Sequence, residues 1–365
     1  MHGAHPRRRG VRRGGEIPRV KRAAIFLQRR GHRAGAQTCL LRLLRQPAIR
    51  ALDPVVVSGE EAWLSRECRR EGVACLVEEF PSSRSLWGRF FANSAFTKRI
   101  SEKLKQLQCT VVHGNDHLES LLTLELGKAL GVPTALFLRS PTMTREDFDK
   151  YRCAEHRLVA AVGEELQAAA RSWSPGTAVE LIHDGLEPGE FLPPKPPPAK
   201  FPERILVIGS ALDWKGWEDA VRVFSNFPAV KLCFTGTRPA GIAASPNYEF
   251  LGRVESFREL VREFDLAFNP SWHESFGMAA LEVLAAGVPL FSTRSGVIPQ
   301  VVSDPRYLAQ PREVGEMAAK LNALMAGWPA TALDVAAAQQ RIKDKFLIGN
   351  TAGKLLAAYR ARAIL

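Results

Sequence analysis

At 365 residues the chain is too long for one ordinary core and suits two domains of similar size. No apolar run reaches the roughly 18 residues of a membrane-spanning helix, and no charged-then-apolar signal peptide opens the chain. The net charge of +12 is concentrated at one end, because residues 1–50 hold 14 Lys and Arg against the single acid Glu16 and the remainder is near neutral.

Met1 to about Arg19 reads as a solvated, disordered leader. Attraction to anionic lipid or to an anionic acceptor is the functional alternative, worth roughly 1 kcal/mol per basic residue at a membrane surface. Nucleic acid is disfavoured, since the tail has no interleaved aromatics and the rest of the chain no basic excess. An organellar transit peptide fits the basic composition but not the lack of serine. Six cysteines, Cys39, Cys68, Cys75, Cys109, Cys153 and Cys233, form no C-x-x-C pair and read as reduced thiols of a cytoplasmic protein.

Strand-like apolar runs then alternate with longer helical stretches. Strands are predicted at Ala23–Leu27, Val55–Ser58, Ala74–Glu78, Thr110–His113 and Thr134–Leu138. Helices are predicted at Ala36–Arg45, Glu60–Glu71, Ser94–Leu107 and His117–Ala129. This alternation argues for a parallel sheet covered on both faces. Seven prolines between Pro188 and Pro202 break it. Proline lacks the N–H and fixes φ, so the segment reads as a stiff linker.

The alternation restarts with strands at Arg204–Ile208, Lys231–Thr235, Leu266–Asn269 and Pro289–Ser292. Helices are predicted at Trp217–Phe224, Glu255–Phe264, Met278–Ala286, Val314–Ala326 and Leu333–Arg362. The fold class is therefore α/β, with two doubly wound Rossmann-like domains facing a central cleft at the carboxyl ends of their strands. The expected division is a leader at 1–19, a first domain at 20–187, a linker at 188–202 and a second domain at 203–340. Residues 341–365 form a C-terminal helix that packs back toward the first domain.

The segment richest in chemistry is Asn269-Pro-Ser-Trp-His-Glu-Ser-Phe-Gly-Met-Ala-Ala-Leu-Glu282. A strand ends at Asn269 and a helix begins near Gly277, exposing the unpaired N–H groups of Phe276, Gly277 and Met278. With the helix dipole these suit a diphosphate. Glu274 lies before the helix and Glu282 about one turn inside it, where a helix-start acid and a solvated acid are the bland alternatives. Arg139, after the strand ending at Leu138, and Asn115 with Asp116, after His113, point to the same cleft. Exposed, capping or core roles are the alternatives for each. His113 and His117 stand four apart, but a strand ends at the first, so no metal is expected there. G-x-G-x-x-G, G-x-x-x-x-G-K-[ST] and G-x-S-x-G are absent, which removes support for a dehydrogenase, a P-loop NTPase and an α/β-hydrolase.

Taken together, Glu274 and Glu282 with the preceding Pro270-Ser271 and the following Ala285-Ala286-Gly287-Val288-Pro289 resemble the E-x7-E signature of retaining GT-B glycosyltransferases of the family 4 type, the glycosyl transferases group 1. Further landmarks recur in order. Ile208-Gly209 with Lys215-Gly216, Phe234-Thr235-Gly236 and Leu251-Gly252-Arg253-Val254 fit the donor domain. In the first half, Gly35-Ala36-Gln37 resembles the glycine-rich turn after strand one, and Val111-Val112-His113 and Gly131-Val132-Pro133 fit later strands. His183-Asp184-Gly185 with Phe191 resembles the passage into the second domain. The likeness spans roughly residues 23–345 and is strongest after 180.

The resemblance implies transfer of a sugar from a nucleotide-diphosphate sugar to a glycan or lipid-linked acceptor, with no cofactor and no metal. Cell-surface polysaccharide or lipopolysaccharide synthesis would be the setting, in the cytoplasm at the inner face of a membrane. Lys215 would neutralise the diphosphate. Glu282 would hold the ribose hydroxyls. Glu274, with Ser275, Phe276, Gly277 and Met278, would hold the transferred sugar. Gly209, Ser210, Gly236 and Arg253 would complete the donor site. Gly35, Asn115 and Arg139 would line the acceptor side, and His113 would join Glu274 and Lys215 as a catalytic group. Family members commonly carry arginine where this chain has Ser210, so one phosphate cation has to come from elsewhere, with Arg238 or Arg139 as sources. Arg42 and Arg45 on the first helix are expected to lie far from the donor helix. A nucleotide-sugar epimerase of the same fold and a non-catalytic sugar-nucleotide or glycan-binding scaffold are the competing readings.

Overall fold

The computed structural model describes residues 22–81, 86–252, 254 and 256–365. The first domain runs β1 (Arg22–Gln28), α1 (Gly35–Arg45), α2 (Pro47–Arg50), β2 (Val55–Ser58), α3 (Trp63–Arg70), β3 (Ala74–Val77), α4 (Leu86–Leu104) and β4 (Gln108–Gly114). It continues with α5 (Ser120–Leu130), β5 (Thr134–Leu138), α6 (Arg145–Lys150), β6 (Leu158–Ala161), α7 (Glu164–Trp173) and β7 (Val179–Leu181). The second domain runs β8 (Arg204–Val207), α8 (Trp217–Phe224), β9 (Lys231–Phe234), β10 (Tyr248–Phe250), α9 (Phe257–Arg262), β11 (Ala267–Asn269) and α10 (Met278–Ala285). It closes with β12 (Leu290–Thr293), α11 (Ile298–Val301), β13 (Leu308–Ala309), α12 (Val314–Ala326), α13 (Val335–Lys345) and α14 (Ile348–Ala361).

Both sheets are parallel, ordered β3-β2-β1-β4-β5-β6-β7 and β10-β9-β8-β11-β12-β13. Strand order reverses between β1 and β4 and again between β8 and β11, and a crevice opens at the carboxyl edge of such reversals. A strand inside a parallel sheet is covered on both faces, so its apolar residues need not alternate with polar ones. On β1, Ala24 and Phe26 face one buried cluster, and Ala23, Ile25 and Leu27 face another. On β4, His113 is two residues from Val111, which belongs to the first cluster, so both side chains point to the same face of the sheet.

The sequence reading passes over β6 and β7, two short edge-side strands of the first sheet. It also takes Leu333–Arg362 as one helix. Helix α13 instead stops at Lys345, and Leu347 is extended at φ −80°, ψ 142° before α14 starts. The break lets residues 346–348 pair with Leu186, whose N–H donates to the Phe346 carbonyl at 2.9 Å and whose carbonyl accepts from Ile348 at 2.9 Å. Helix α14 then packs on α1 and α2 of the first domain. Its Thr351 hydroxyl donates to the His183 carbonyl at 2.7 Å, and Arg362 pairs with Glu180 at 2.8 Å. The proline-rich segment lies against the second domain, where Leu192 N–H donates to Ala285 O and Lys195 N–H to Gly287 O, each at 2.8 Å.

Gly185 marks the crossing of the two connections. A Cβ there would stand 2.5 Å from the Ile348 nitrogen and 2.6 Å from the Leu347 carbonyl carbon, both backbone atoms that cannot swing aside. Gly185→Ala is expected to lower stability by about 1–3 kcal/mol, the range for forced overpacking. A denaturant midpoint equal to that of the parent chain would show that the crossing tolerates a side chain.

Candidate active site

One cavity of about 1040 Å³ lies between the facing strand edges. Its second-domain wall is built by three loops. After β8, Gly209 takes φ +124°, a conformation that side chains disfavour. The chain then turns through Ser210 to Lys215, and Gly216, at φ +65°, packs so tightly on the Pro270 carbonyl that a Cβ would overlap it. That contact pins the lysine turn to the loop carrying Glu274. The two side chains meet there, Lys215 Nζ donating to Glu274 Oε1 at 2.6 Å, both largely buried.

The Asn269–Gly277 loop is held from beneath by buried hydroxyl and amide groups. Ser271 Oγ donates to Asn269 Oδ1 at 2.8 Å, and Asn269 Nδ2 donates to Ser292 Oγ at 3.2 Å. Thr293 Oγ1 donates to the Ser271 carbonyl. Such satisfied networks fix loop geometry. Gly277, at φ +103°, then feeds α10, which presents Met278, Ala279 and Glu282 to the cavity. Thr235, Gly236, Thr237, Gly252, Val254 and Phe257 complete this wall, and Gly236 is packed on the Trp217 ring. Arg253 lies outside the described residues.

The first-domain wall comes from the β1–α1 turn, with Arg33, Ala34, Gly35 and Thr38, and from α3, with Trp63 and Arg66. A Cβ at Gly35 would meet nothing within 4 Å, so packing does not demand glycine there. Arg33 stacks over Trp63 at 5.7 Å. Neither arginine was singled out in the sequence. A hint was available in the spacing of Trp63 and Arg66, three apart on a short helix whose other face, Leu64, Ser65 and Cys68, is buried.

Three first-domain residues expected at the cleft are elsewhere. His113 is fully buried, stacked on Phe26 and Phe137, with Nδ1 hydrogen-bonded to the Tyr359 hydroxyl of α14. Strand periodicity turns it toward α14 and away from the cleft. Asn115 is fully buried and donates to Gln28 and to the Ala36 carbonyl. Arg139 is buried, ion-paired with Asp184, and donates through Nε to the Asn115 carbonyl at 2.8 Å. None of the three lines the cavity. Arg139 is thus held by Asp184 away from the cavity lining, and Arg238, exposed beside the Ile242 carbonyl, is not among the lining residues either.

Two donor-helix residues also have other partners. Ser275 Oγ donates to the Arg139 carbonyl, and the Ser275 backbone presses on Gly163 of the first domain, where a Cβ would overlap its carbonyl. Phe276 is buried between the rings of His183 and Phe346. The expectation that Arg42 lies far from the donor helix is overturned, because its Nη2 donates to Glu282 Oε1 at 2.7 Å. Arg45 does not reach that helix and pairs with Glu71 and Glu187.

Asp147-Phe148-Asp149 is a D-x-D triplet, so the expectation that the chain contains none is wrong. It lies on α6, where Asp147 caps the helix through Thr144 and Asp149 pairs with Arg145, and it does not line the cavity. Among the described residues no group of three or more His, Cys, Asp or Glu could hold a metal ion. No helix among them is long and apolar enough to cross a membrane.

Residues 202–327 match the family model described as glycosyl transferases group 1. The match covers most of the second domain and none of the first. A relative named D-inositol 3-phosphate glycosyltransferase, from Mycobacterium marinum, is 29% identical over 239 residues, 58% of this chain and 51% of the relative. The chain thus spans about half the length of the curated relatives it matches. Among solved structures, HepE from Anabaena in complex with UDP and glucose superposes with a TM-score of 0.77 at 15% identity, covering 93% of this chain and all of that one. The lipopolysaccharide outer core galactosyltransferase WaaB, in apo form, gives a TM-score of 0.70 at 14% identity over 93% of this chain and 99% of that one. These likenesses show the fold, and the architecture of the chain is GT-B.

Two buried histidines are expected to make the stability of the fold pH-dependent. Burial pushes His113 well below its ordinary pKa, and pushes His156 down to about 3. His156 sits between Ser120 Oγ at 2.8 Å and Thr134 Oγ1 at 2.9 Å. A base whose folded pKa is depressed stabilises the fold above its unfolded pKa, near 6.5, and loses that contribution as pH falls toward the folded value. Melting temperature is therefore expected to drop as pH falls from about 6.5 toward about 3. In His156→Gln the slope should be shallower by up to about 1.4 kcal/mol per pH unit. An unchanged slope would mean that His156 is not buried neutral.

Proposed function

We propose that the chain is a retaining glycosyltransferase that moves a sugar from a nucleoside-diphosphate donor to a hydroxyl of a glycan or lipid-linked acceptor in cell-surface glycan synthesis. The observation that carries this reading is the single cavity into which Lys215, Glu274 and Glu282 of the group 1 domain converge, opposite Arg33, Gly35, Trp63 and Arg66. A diphosphate would lie along Ser210, Lys215 and the start of α10. The transferred sugar would give its hydroxyl hydrogens to Glu274, and the ribose would give its own to Glu282. UDP is favoured as the nucleotide by the likeness to HepE, which binds UDP. The lipopolysaccharide setting is favoured by the likeness to WaaB, and the first-domain wall would receive the acceptor.

In the reaction the bond between the anomeric carbon and the diphosphate oxygen breaks, and its electron pair leaves with the diphosphate. The acceptor oxygen attacks the same face of the oxocarbenium-like centre, and its proton passes to the departing diphosphate. Charge on the diphosphate grows as the bond breaks, so a fixed cation beside it lowers the barrier. Lys215 is that cation in this reading. Arg33 and Arg66, across the cavity, supply the positive charge that Ser210 does not. No metal or other cofactor takes part in the proposed scheme.

Lys215→Ala is expected to cost roughly 2–4 kcal/mol of transition-state stabilisation, read mainly in kcat. The prior step is a screen of UDP-, GDP- and ADP-sugars by thermal shift, followed by product analysis for retention at the anomeric centre. Inverted product, or wild-type turnover in the lysine variant, would sink the scheme.

The basic residues that precede β1 would draw the protein to an anionic membrane surface. Exposed charges act over a Debye length of about 8 Å at physiological salt. Binding to phosphatidylserine vesicles is therefore expected to fall steeply with added salt while donor hydrolysis stays constant. Removal of residues 1–18 should abolish vesicle binding at low salt. Equal binding by the truncated and full chains would leave the tail without this role.

A further inference from the structure

Arg42 lies in the middle of the apolar face of α1, among Leu40, Leu41, Leu43 and Leu44, all buried. Its own side chain is only 5% exposed. A guanidinium so buried costs several kcal/mol unless carboxylates surround it. Here Nη2 donates to both Glu190 and Glu282, and Nε donates to Glu190 at 3.2 Å. Glu190 belongs to the crossover between the domains, and Glu282 to α10 of the second domain. One first-domain side chain therefore grips the crossover and the donor helix together.

The Glu282 carboxylate offers two oxygens and about four acceptor positions. Arg42 occupies Oε1 at 2.7 Å, whereas Oε2 makes no hydrogen bond among the described residues. Glu282 lines the cavity and keeps 24% of its side chain exposed. A free glutamate side chain samples several rotamers, and ordering it on ligand binding costs free energy. An arginine that Glu190 holds through Nε and through the same Nη2 removes that freedom in advance.

We propose that Arg42 is a positioning residue of the donor site, reaching across from the first domain to hold Glu282 with one oxygen free for the donor ribose. The inference rests on the reading that Glu282 receives the ribose hydroxyls. It adds that nucleotide affinity depends on contact between the two domains. Glu190 does not line this cavity but a smaller one of about 340 Å³, which shares Arg33, Thr38 and Trp63 with it, and its effect on the nucleotide is expected to pass through Arg42.

The test is calorimetric titration of UDP and of 2′,3′-dideoxy-UDP into the full chain and its Arg42→Gln, Arg42→Lys, Glu190→Gln and Glu282→Gln variants, with the GDP pair in parallel. Removing the anchor should weaken the ribonucleotide on the order of tenfold, the loss of one charged hydrogen bond. The dideoxy analogue should bind the parent and Arg42→Gln alike. Arg42→Lys should recover part of the loss, and Glu190→Gln should shift affinity in the same direction by less. With donor sugar, KM should rise and kcat change little. If Arg42→Gln weakens both nucleotides equally, or tightens UDP, the inference is overturned while ribose selectivity in Glu282→Gln leaves the site reading standing. If Glu282→Gln also weakens the two nucleotides equally, the reading of Glu282 fails and takes the inference with it.

Discussion

The two domains meet backbone against backbone beside the cavity, at Gly163 and Ser275, and no side chain fits between them. Everything in the site follows from that fit. It sets the β6–α7 turn of the first domain against the loop that carries Glu274, and the Ser275 hydroxyl closes the contact on the Arg139 carbonyl. Arg139 is itself immobile, held by Asp184 and by the Asn115 carbonyl, so the hydrogen bond lands on a rigid part of the first sheet. Two parallel sheets can face each other at many angles. Gly163 and the Arg139 carbonyl, both of the first domain, receive Ser275 of the second at the angle at which a cavity of about 1040 Å³ remains.

Much of the second domain was legible because its chemistry is local. Gly209, Lys215, Gly236, Glu274, Met278 and Glu282 all line the cavity, and each lies in the loop that follows a strand or in the first turns of the next helix. Spacing along the chain places such residues without knowledge of the fold. The first domain was harder for a stated reason. His113 and Asn115 also follow a strand, yet whether a side chain faces the cleft or a covering helix turns on one residue of register. The helix that covers His113 is α14, more than 230 positions away along the chain, and no local pattern announces it.

Arg42 failed for a related cause. Its sequence neighbours, Cys39-Leu40-Leu41 and Leu43-Leu44, read as an amphipathic helix with one basic residue, and proximity to a basic tail suggested solvent or lipid. The better signal was the apolar setting itself. A charge embedded in a buried leucine stripe requires carboxylate partners, and Glu190 and Glu282 were available only once the chain had returned through the proline-rich crossover. The strands β6 and β7 were missed because both are short and sit toward the sheet edge, where apolar runs of three or four residues carry little periodicity.

The balance of charge in the cavity bears on how a donor would be received. Lys215 and Glu274 satisfy one another at 2.6 Å, and Arg42 satisfies Glu282 at 2.7 Å, so both carboxylates already carry a cation. Desolvating either acid alone would be costly, whereas as pairs they can be enclosed by an incoming ligand. The pairs differ in kind. Lys215 and Glu274 come from the same domain and can each exchange the other for phosphate oxygens and sugar hydroxyls while the walls stay in place. Arg42 and Glu282 come from opposite domains, with Glu190 as a second anchor, so separating them would also loosen the cavity.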